Sequence, residues 1–136
     1  MSEASVDVVE RYVRAYNDKD LDAIEAIWAD PFSFEGTEMA RDDFLAIVQS
    51  YWDAFPDMTL ESTHLIADDG GYVLSRDVLT ATGRGEYYGH DVDGTSIETT
   101  EMTLFHVDDG TIDEYWFEWG ALEFWQQLGV IEDPYR

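Results

Sequence analysis

A chain of 136 residues, 45% apolar and 15% aromatic, is long enough to bury a core without metal or disulfide staples, and reads most simply as one domain over 1–136. Its 31 acidic residues face only 7 basic ones, a formal net charge of −24, which argues against nucleic acid and anionic membranes because the phosphate attraction behind such binding becomes repulsion. The lack of cysteine excludes disulfide frameworks, thiol nucleophiles and cysteine-ligated zinc.

The opening Met-Ser-Glu-Ala-Ser is no basic, then apolar, leader, and no apolar run reaches bilayer length, so the expectation is a soluble, cytoplasmic protein. Val6, Val9, Val13 and Tyr16 recur at helical spacing and predict an opening amphipathic helix, with Ser2 and Ser5 as candidate caps. After Asn17-Asp-Lys-Asp20, a second helix is expected from about Leu21 to Trp28, stopped by Asp30-Pro31. Phe32-Ser-Phe34 reads as a short strand. Phe44, Ile47, Val48, Tyr51, Trp52 and Phe55 make the apolar stripe of a third helix that ends at Pro56-Asp57.

From there the pattern is sheet. Met58–Ala67 and Tyr72 to about Arg84 are strands around the turn Asp68–Gly71, and Gly83, Gly85 and Gly89 break into a loop. Ser96–Val107 and Thr111–Trp119 are strands around Asp108-Asp-Gly110. Gly120 then releases a terminal amphipathic helix ending at Gly129. This order predicts an α+β fold in which helices pack against one face of a curved antiparallel sheet.

Few residues carry an obvious chemistry. His64, His90 and His106 lie in separate elements without metal-pair spacing, Gly83-Arg-Gly85 sits between strands instead of opening a helix, and no phosphate loop or serine elbow is present. No metal or cofactor is therefore expected, which leaves carboxylate chemistry or binding without chemistry. Tyr16, Trp28, Phe32, Phe34, Tyr51, Trp52, Phe55 and Trp116 are core by the simplest reading, yet so much aromatic surface also suits an apolar small-molecule pocket. Along the closing strand, Ile112, Glu114, Trp116 and Glu118 share one parity, while Asp113, Tyr115, Phe117 and Trp119 share the other. Glu118, flanked by aromatics on the parity of Ile112, is the first candidate for a desolvated general acid or base, with Glu114 second; a bulge would instead turn Glu118 outward. Arg76 is expected to pair with Asp77 or another sheet carboxylate.

Ala54-Phe-Pro-Asp57, Thr82-Gly-Arg-Gly-Glu-Tyr-Tyr-Gly89, Asp109-Gly-Thr-Ile-Asp-Glu-Tyr-Trp116 and Gln127-Leu-Gly129 resemble, in order and spacing, the SnoaL-like polyketide cyclases and ester cyclases of the nuclear transport factor 2-like superfamily. The resemblance runs from Tyr16-Asn17 onward. It implies a cone-shaped sheet with helices on its concave face, a pocket for an apolar small molecule, no cofactor, and a homodimer through the outer sheet face, to which Tyr115, Phe117 and Trp119 are assigned. It also implies a catalytic aspartate at position 120 and a histidine at position 83, and both are glycine here. Asp77, on the parity of Gly83, then becomes a partner for Glu118, as in carboxylate pairs of the superfamily's epoxide hydrolases and isomerases. The expected site is thus Glu118, Asp77 and Glu114 for catalysis, with Trp116, Tyr16, Trp28, Phe34, Tyr51 and Phe55 around the substrate. The other open reading is a binding or interaction module of the same fold without catalysis. The acidic composition itself resembles proteins of salt-accumulating haloarchaea, where molar salt screens the self-repulsion.

Overall fold

The computed structural model of the chain describes residues 2–132. Helices α1 (Ser2–Asn17) and α2 (Leu21–Ala26) lead into the hairpin β1 (Trp28–Phe34) and β2 (Thr37–Met39), followed by α3 (Arg41–Ala54). Strands β3 (Thr59–Ala67) and β4 (Tyr72–Thr82), the small pair β5 (Glu86–Tyr87) and β6 (His90–Asp91), strands β7 (Ser96–Asp108) and β8 (Thr111–Trp119), and helix α4 (Ala121–Gln127) complete the chain. Two local expectations are corrected. The second helix stops at Ala26, because the Ile27 N–H bends back to the Ile24 carbonyl while the Ile27 carbonyl already accepts the Ile112 N–H, so Trp28 begins a strand. Glu35 and Gly36, both in the left-handed region (φ 52° and 82°), turn the chain into β2, which was not anticipated.

One sheet runs in the order β2-β1-β8-β7-β4-β3. All of its pairings are antiparallel except β1 with β8, which is parallel. The sheet carries irregularities at Trp28/Ser33, Ser62/His64 and His106/Val107, and such bulges bend and twist the strands that hold them. The concave face receives Val8, Val9, Tyr12, Ala15 and Tyr16 of α1 and Phe44, Val48 and Trp52 of α3, all buried. Tyr12 was absent from the helical stripe read in the sequence; the buried face is rotated toward Val8 and Tyr12, leaving Val6 and Val13 half-buried.

Polar clips fix the helices on the sheet. The Asn17 amide donates to the Leu60 carbonyl (2.9 Å) and its oxygen accepts the Leu60 N–H (2.8 Å), tying the end of α1 to β3. Gln127 does the same for α4, gripping both backbone groups of Glu98 on β7 at 2.7 Å. The motifs ending in Asp57 and Gly129 therefore have a structural use: Asp57 accepts the Thr82 N–H (2.6 Å), and the Ala54 carbonyl accepts the Arg84 N–H (2.8 Å).

Candidate functional site: a carboxyl in an aromatic cone

Alternation decides what faces the cone. On β4 the inward residues are Val73, Ser75, Asp77, Leu79 and Ala81, and on β7 they are Ile97, Thr99, Glu101, Thr103, Phe105 and Val107. Apolar ends thus enclose a polar middle. Register aligns Ser62, Asp77, Glu101 and Trp119 in one row across β3, β4, β7 and β8.

Over that row lies a cavity of about 70 Å³, room for several waters or a small organic group. Tyr12 and Tyr16 of α1, Tyr51 and Phe55 at the end of α3, and Tyr115, Phe117 and Trp119 of β8 contribute to its wall, and Glu101 is the only charged residue on it among the described residues. A larger hollow beside Asp57, Thr80 and Gln127 is open and polar, and lacks this enclosure. Glu101 also borders a shallow depression with Arg76, Glu118 and Gly120, which explains its partial solvent contact.

Electrostatics single out Glu101. Burial first, and the neighbouring Asp77 second, push its carboxyl up to about 7. Among the described residues no hydrogen bond or ion pair engages its side chain. Asp77, by contrast, is partnered: its Oδ1 accepts from Ser62 Oγ (2.7 Å) and Ser75 Oγ (2.6 Å), and it is 2% exposed. The hydroxyls of Tyr12, Tyr16 and Tyr115 are held protonated by burial above all, with the Glu101 charge adding to the effect in each. Tyr51 is raised by burial, then by Tyr88 and Glu101. Tyr16 spends its proton on Met58 Sδ at 3.0 Å. A protonatable carboxyl surrounded by phenols in an apolar chamber can donate or accept a proton without a metal.

The expected site residues separate into two groups. Tyr16, Phe34, Tyr51 and Phe55 line the cavity, and Asp77 lies directly behind Glu101. Trp28 does not reach the cavity: it is 1% exposed and stacks on Phe44 at 4.4 Å in the core. Trp116, Glu118 and Glu114 stand on the convex face. Trp116 is 39% exposed and donates through Nε1 to Glu114 Oε2 (2.8 Å); Glu118 is solvent-exposed opposite Met102.

The cause is a bulge. Val107 pairs with Ile112 but His106 pairs with Glu114, so Asp113 is an extra residue and the inward parity passes from Ile112 to Tyr115, Phe117 and Trp119. The same inversion removes those aromatics from the outer face assigned to them. On β4, alternation with the inward Ser75 and Asp77 leaves Arg76 outside, donating to Thr63 Oγ1 (3.0 Å) and not to Asp77. Glu101 was missed although a signal existed: it is the one acidic residue in the alternation Ile97, Thr99, Glu101, Thr103, Phe105, Val107.

Gly83 and Gly120, where the resemblance places a histidine and an aspartate, are both sterically confined. A Cβ at Gly120 would come within 2.5 Å of Thr99 Oγ1, which is itself held near the Gly120 carbonyl, and one at Gly83 would overlap the Val92 carbonyl oxygen.

Cone and enclosed cavity together define a small-molecule-binding domain of the cyclase type. The sequence pattern of the SnoaL-like polyketide cyclases matches residues 6–128, and the chain belongs to that family. Among solved structures it is similar to AclR from Streptomyces galilaeus, a hydroxylase candidate, with TM-score 0.88 and 25% identity over 98% of this chain and 89% of that one. It is likewise similar to IdmH from Streptomyces antibioticus, a polyketide cyclase candidate, with TM-score 0.82 and 26% identity over 93% of this chain and 99% of that one. A SnoaL-like protein from Jannaschia, at 18% identity and TM-score 0.83 over 96% and 94% of the two chains, shares the fold. Comparison with curated protein sequences finds no match. No helix among the described residues is long and apolar enough to cross a membrane.

Proposed function

We propose that the chain is a cofactor-independent enzyme of the cyclase, isomerase or hydrolase kind, in which Glu101 exchanges a proton with a small, largely apolar substrate and Asp77 tunes it from behind. The observation that carries this reading is one carboxyl, poised near neutrality and without a hydrogen-bond partner among the described residues, on the wall of a cavity otherwise lined by aromatic and aliphatic side chains. The tyrosine hydroxyls supply donors to a developing oxyanion, replacing the side chains that Gly83 and Gly120 lack. The test is solvent-deuterium exchange at the α-carbon of a panel of aryl ketones and β-keto esters, with and without amine substituents, followed by NMR. Exchange is expected with the wild type and with Glu118→Gln, and is lost in Glu101→Gln. Exchange that persists in Glu101→Gln removes the residue from the mechanism, and no exchange with any substrate favours the non-catalytic binding module.

Assembly is proposed to be a homodimer through the convex face. Ile66, Leu74, Leu104 and Trp116 align there in one row across β3, β4, β7 and β8, with Ile66 61% and Trp116 39% exposed. Leu74→Asp should halve the mass seen by light scattering while leaving the cavity's chemistry in place; an unchanged mass would point to another interface or to a monomer.

A further inference from the structure

The interior of the cone has a charge imbalance. Asp77 and Glu101 are cross-strand neighbours, and among the described residues no Lys, Arg or His lines the cavity above them. The ion pairs recorded among the described residues engage neither carboxyl. Asp77 is stabilised by the Ser62 and Ser75 hydroxyls, but toward the cavity Glu101 meets, among the described residues, only apolar and aromatic side chains, and Arg76, which borders it in the outer depression, makes no ion pair with it. Carboxylates held in a low-dielectric site require a counter-charge, and that can be a proton or a cation. At rest the proton serves.

The remaining walls favour a cation over an anion. Tyr12, Tyr16, Tyr51, Tyr115, Phe117 and Trp119 present π-systems, whose faces attract positive charge and repel negative charge. Their aromatic neighbours are packed tightly enough to hold them in place: Tyr115 lies 5.6 Å from Phe117 and 5.8 Å, stacked, from Phe34, and Trp119 lies 5.1 Å from Phe124. The whole molecule, at −24, adds a long-range field of the same sign. A carboxylate, phosphate or sulfate ligand would meet no donor side chain stronger than a phenol in this chamber.

We infer that the cavity selects ligands bearing one positive centre, a protonated amine or a quaternary ammonium on a compact apolar body, seated between the Glu101 carboxylate and the tyrosine rings. This inference rests on the reading that Glu101 faces the ligand, and narrows the substrate class of that same site. Binding of the cation displaces the resting proton, so affinity and protonation are linked. Because Glu101 holds its proton up to about pH 7, cation affinity falls about tenfold per pH unit below that value and levels off above it.

The test uses choline and its uncharged carbon isostere 3,3-dimethylbutan-1-ol, titrated calorimetrically into the full chain at fixed KCl from pH 5.5 to 8.5. Choline is expected to bind at least tenfold more tightly than the alcohol at pH 8, to weaken below pH 7, and to release up to one proton per site in buffers of differing ionisation enthalpy. In Glu101→Gln, choline should fall to the level of the alcohol and lose its pH dependence. An alcohol that binds as well as choline, or the absence of choline binding at millimolar concentration, overturns the inference. If alcohol binding weakens above pH 7 and Glu101→Gln removes that dependence, the cation preference fails while the role of Glu101 stands. If neither probe responds to Glu101→Gln, both fail.

Discussion

Glu101 and Glu118 lie in adjacent rows of neighbouring strands, Glu101 opposite Trp119 and Glu118 opposite Met102, yet they inhabit different solvents. The first lines an aromatic cavity and has its carboxyl raised to about 7; the second is exposed on the convex face. Glu118 lies between Phe117 and Trp119 while Glu101 lies between Thr100 and Met102, so the local sequence alone would place the more desolvated carboxyl at Glu118. What separates them is the face of the sheet, and on β8 that face is set by the extra residue Asp113.

The largest effect is expected from changing that count by one more residue. Inserting one alanine after Glu114 shifts every later pair on β8, which turns Tyr115 and Phe117 to solvent and drives Trp116 and Glu118 against the core, whereas deleting Asp113 keeps Ile112 opposite Val107 and Glu114 opposite His106 and so keeps the faces. No cooperative thermal transition should remain by circular dichroism in the insertion variant; a native-like transition would mean that the strand absorbs a residue without cost and that the count does not determine the faces.

A smaller contrast comes from neutralising each glutamate. A buried acid whose folded pKa is raised contributes fully below its unfolded value near 4.5, and the contribution is lost as pH climbs to about 7. Glu101→Gln should therefore be more stable than wild type at pH 8, by up to about 3 kcal/mol if the whole shift of the half-buried group is expressed. The advantage should shrink toward pH 4. Glu118→Gln should stay within about 0.5 kcal/mol at every pH. Equal pH profiles for the two variants, from denaturant unfolding, would erase the distinction between the faces.

The smallest effect concerns the clamp on the bulge. His106 Nδ1 donates to Asp113 Oδ1 (2.6 Å) and Nε2 to the Gly70 carbonyl (2.9 Å), an arrangement that uses both nitrogens as donors and hence the imidazolium. Burial opposes that charge, but the Asp113 hydrogen bond and charge outweigh it, so the His106 pKa is raised. The clamp's contribution is thus complete below the ordinary histidine value near 6.5 and is lost as pH rises through the raised one. Asp113→Asn should lower the His106 titration midpoint by NMR and cost less than about 1 kcal/mol, more at pH 6 than at pH 9. An unmoved midpoint would show that the pair does not form in solution.

Much of the architecture was legible before any coordinates. The stripe from Phe44 to Phe55, the turns at Asp68–Gly71 and Asp108–Gly110, and the long alternations of Tyr72–Thr82 and Ser96–Asp108 define elements through local periodicity and turn chemistry, which act within a few residues. The motif segments were readable for the same reason, since Asp57 and Gln127 sit in short local stretches and clip the backbone of neighbouring strands. The site was less legible. Tyr16, Phe34, Tyr51 and Phe55 lie on the cavity wall, as aromatic density at helix and strand ends suggests for enclosed surface, whereas Trp28, from the same aromatic set, fills the core.

By itself, then, the sequence determined an α+β cone of the SnoaL-like kind, its order of elements, its acidic surface, and the absence of side chains at positions 83 and 120. Only the tertiary structure decided which carboxyl meets the cavity. A face is the sum of every residue between two points on a strand, and one bulge at Asp113 reverses that sum for all that follows. Asp77 could be placed inward from its own strand, but its neighbour Glu101 gained meaning only when register laid β7 beside β4 and α1 closed the chamber with Tyr12 and Tyr16. Desolvation, which raises the Glu101 carboxyl toward neutrality, is a property of that enclosure and has no local signature in the chain.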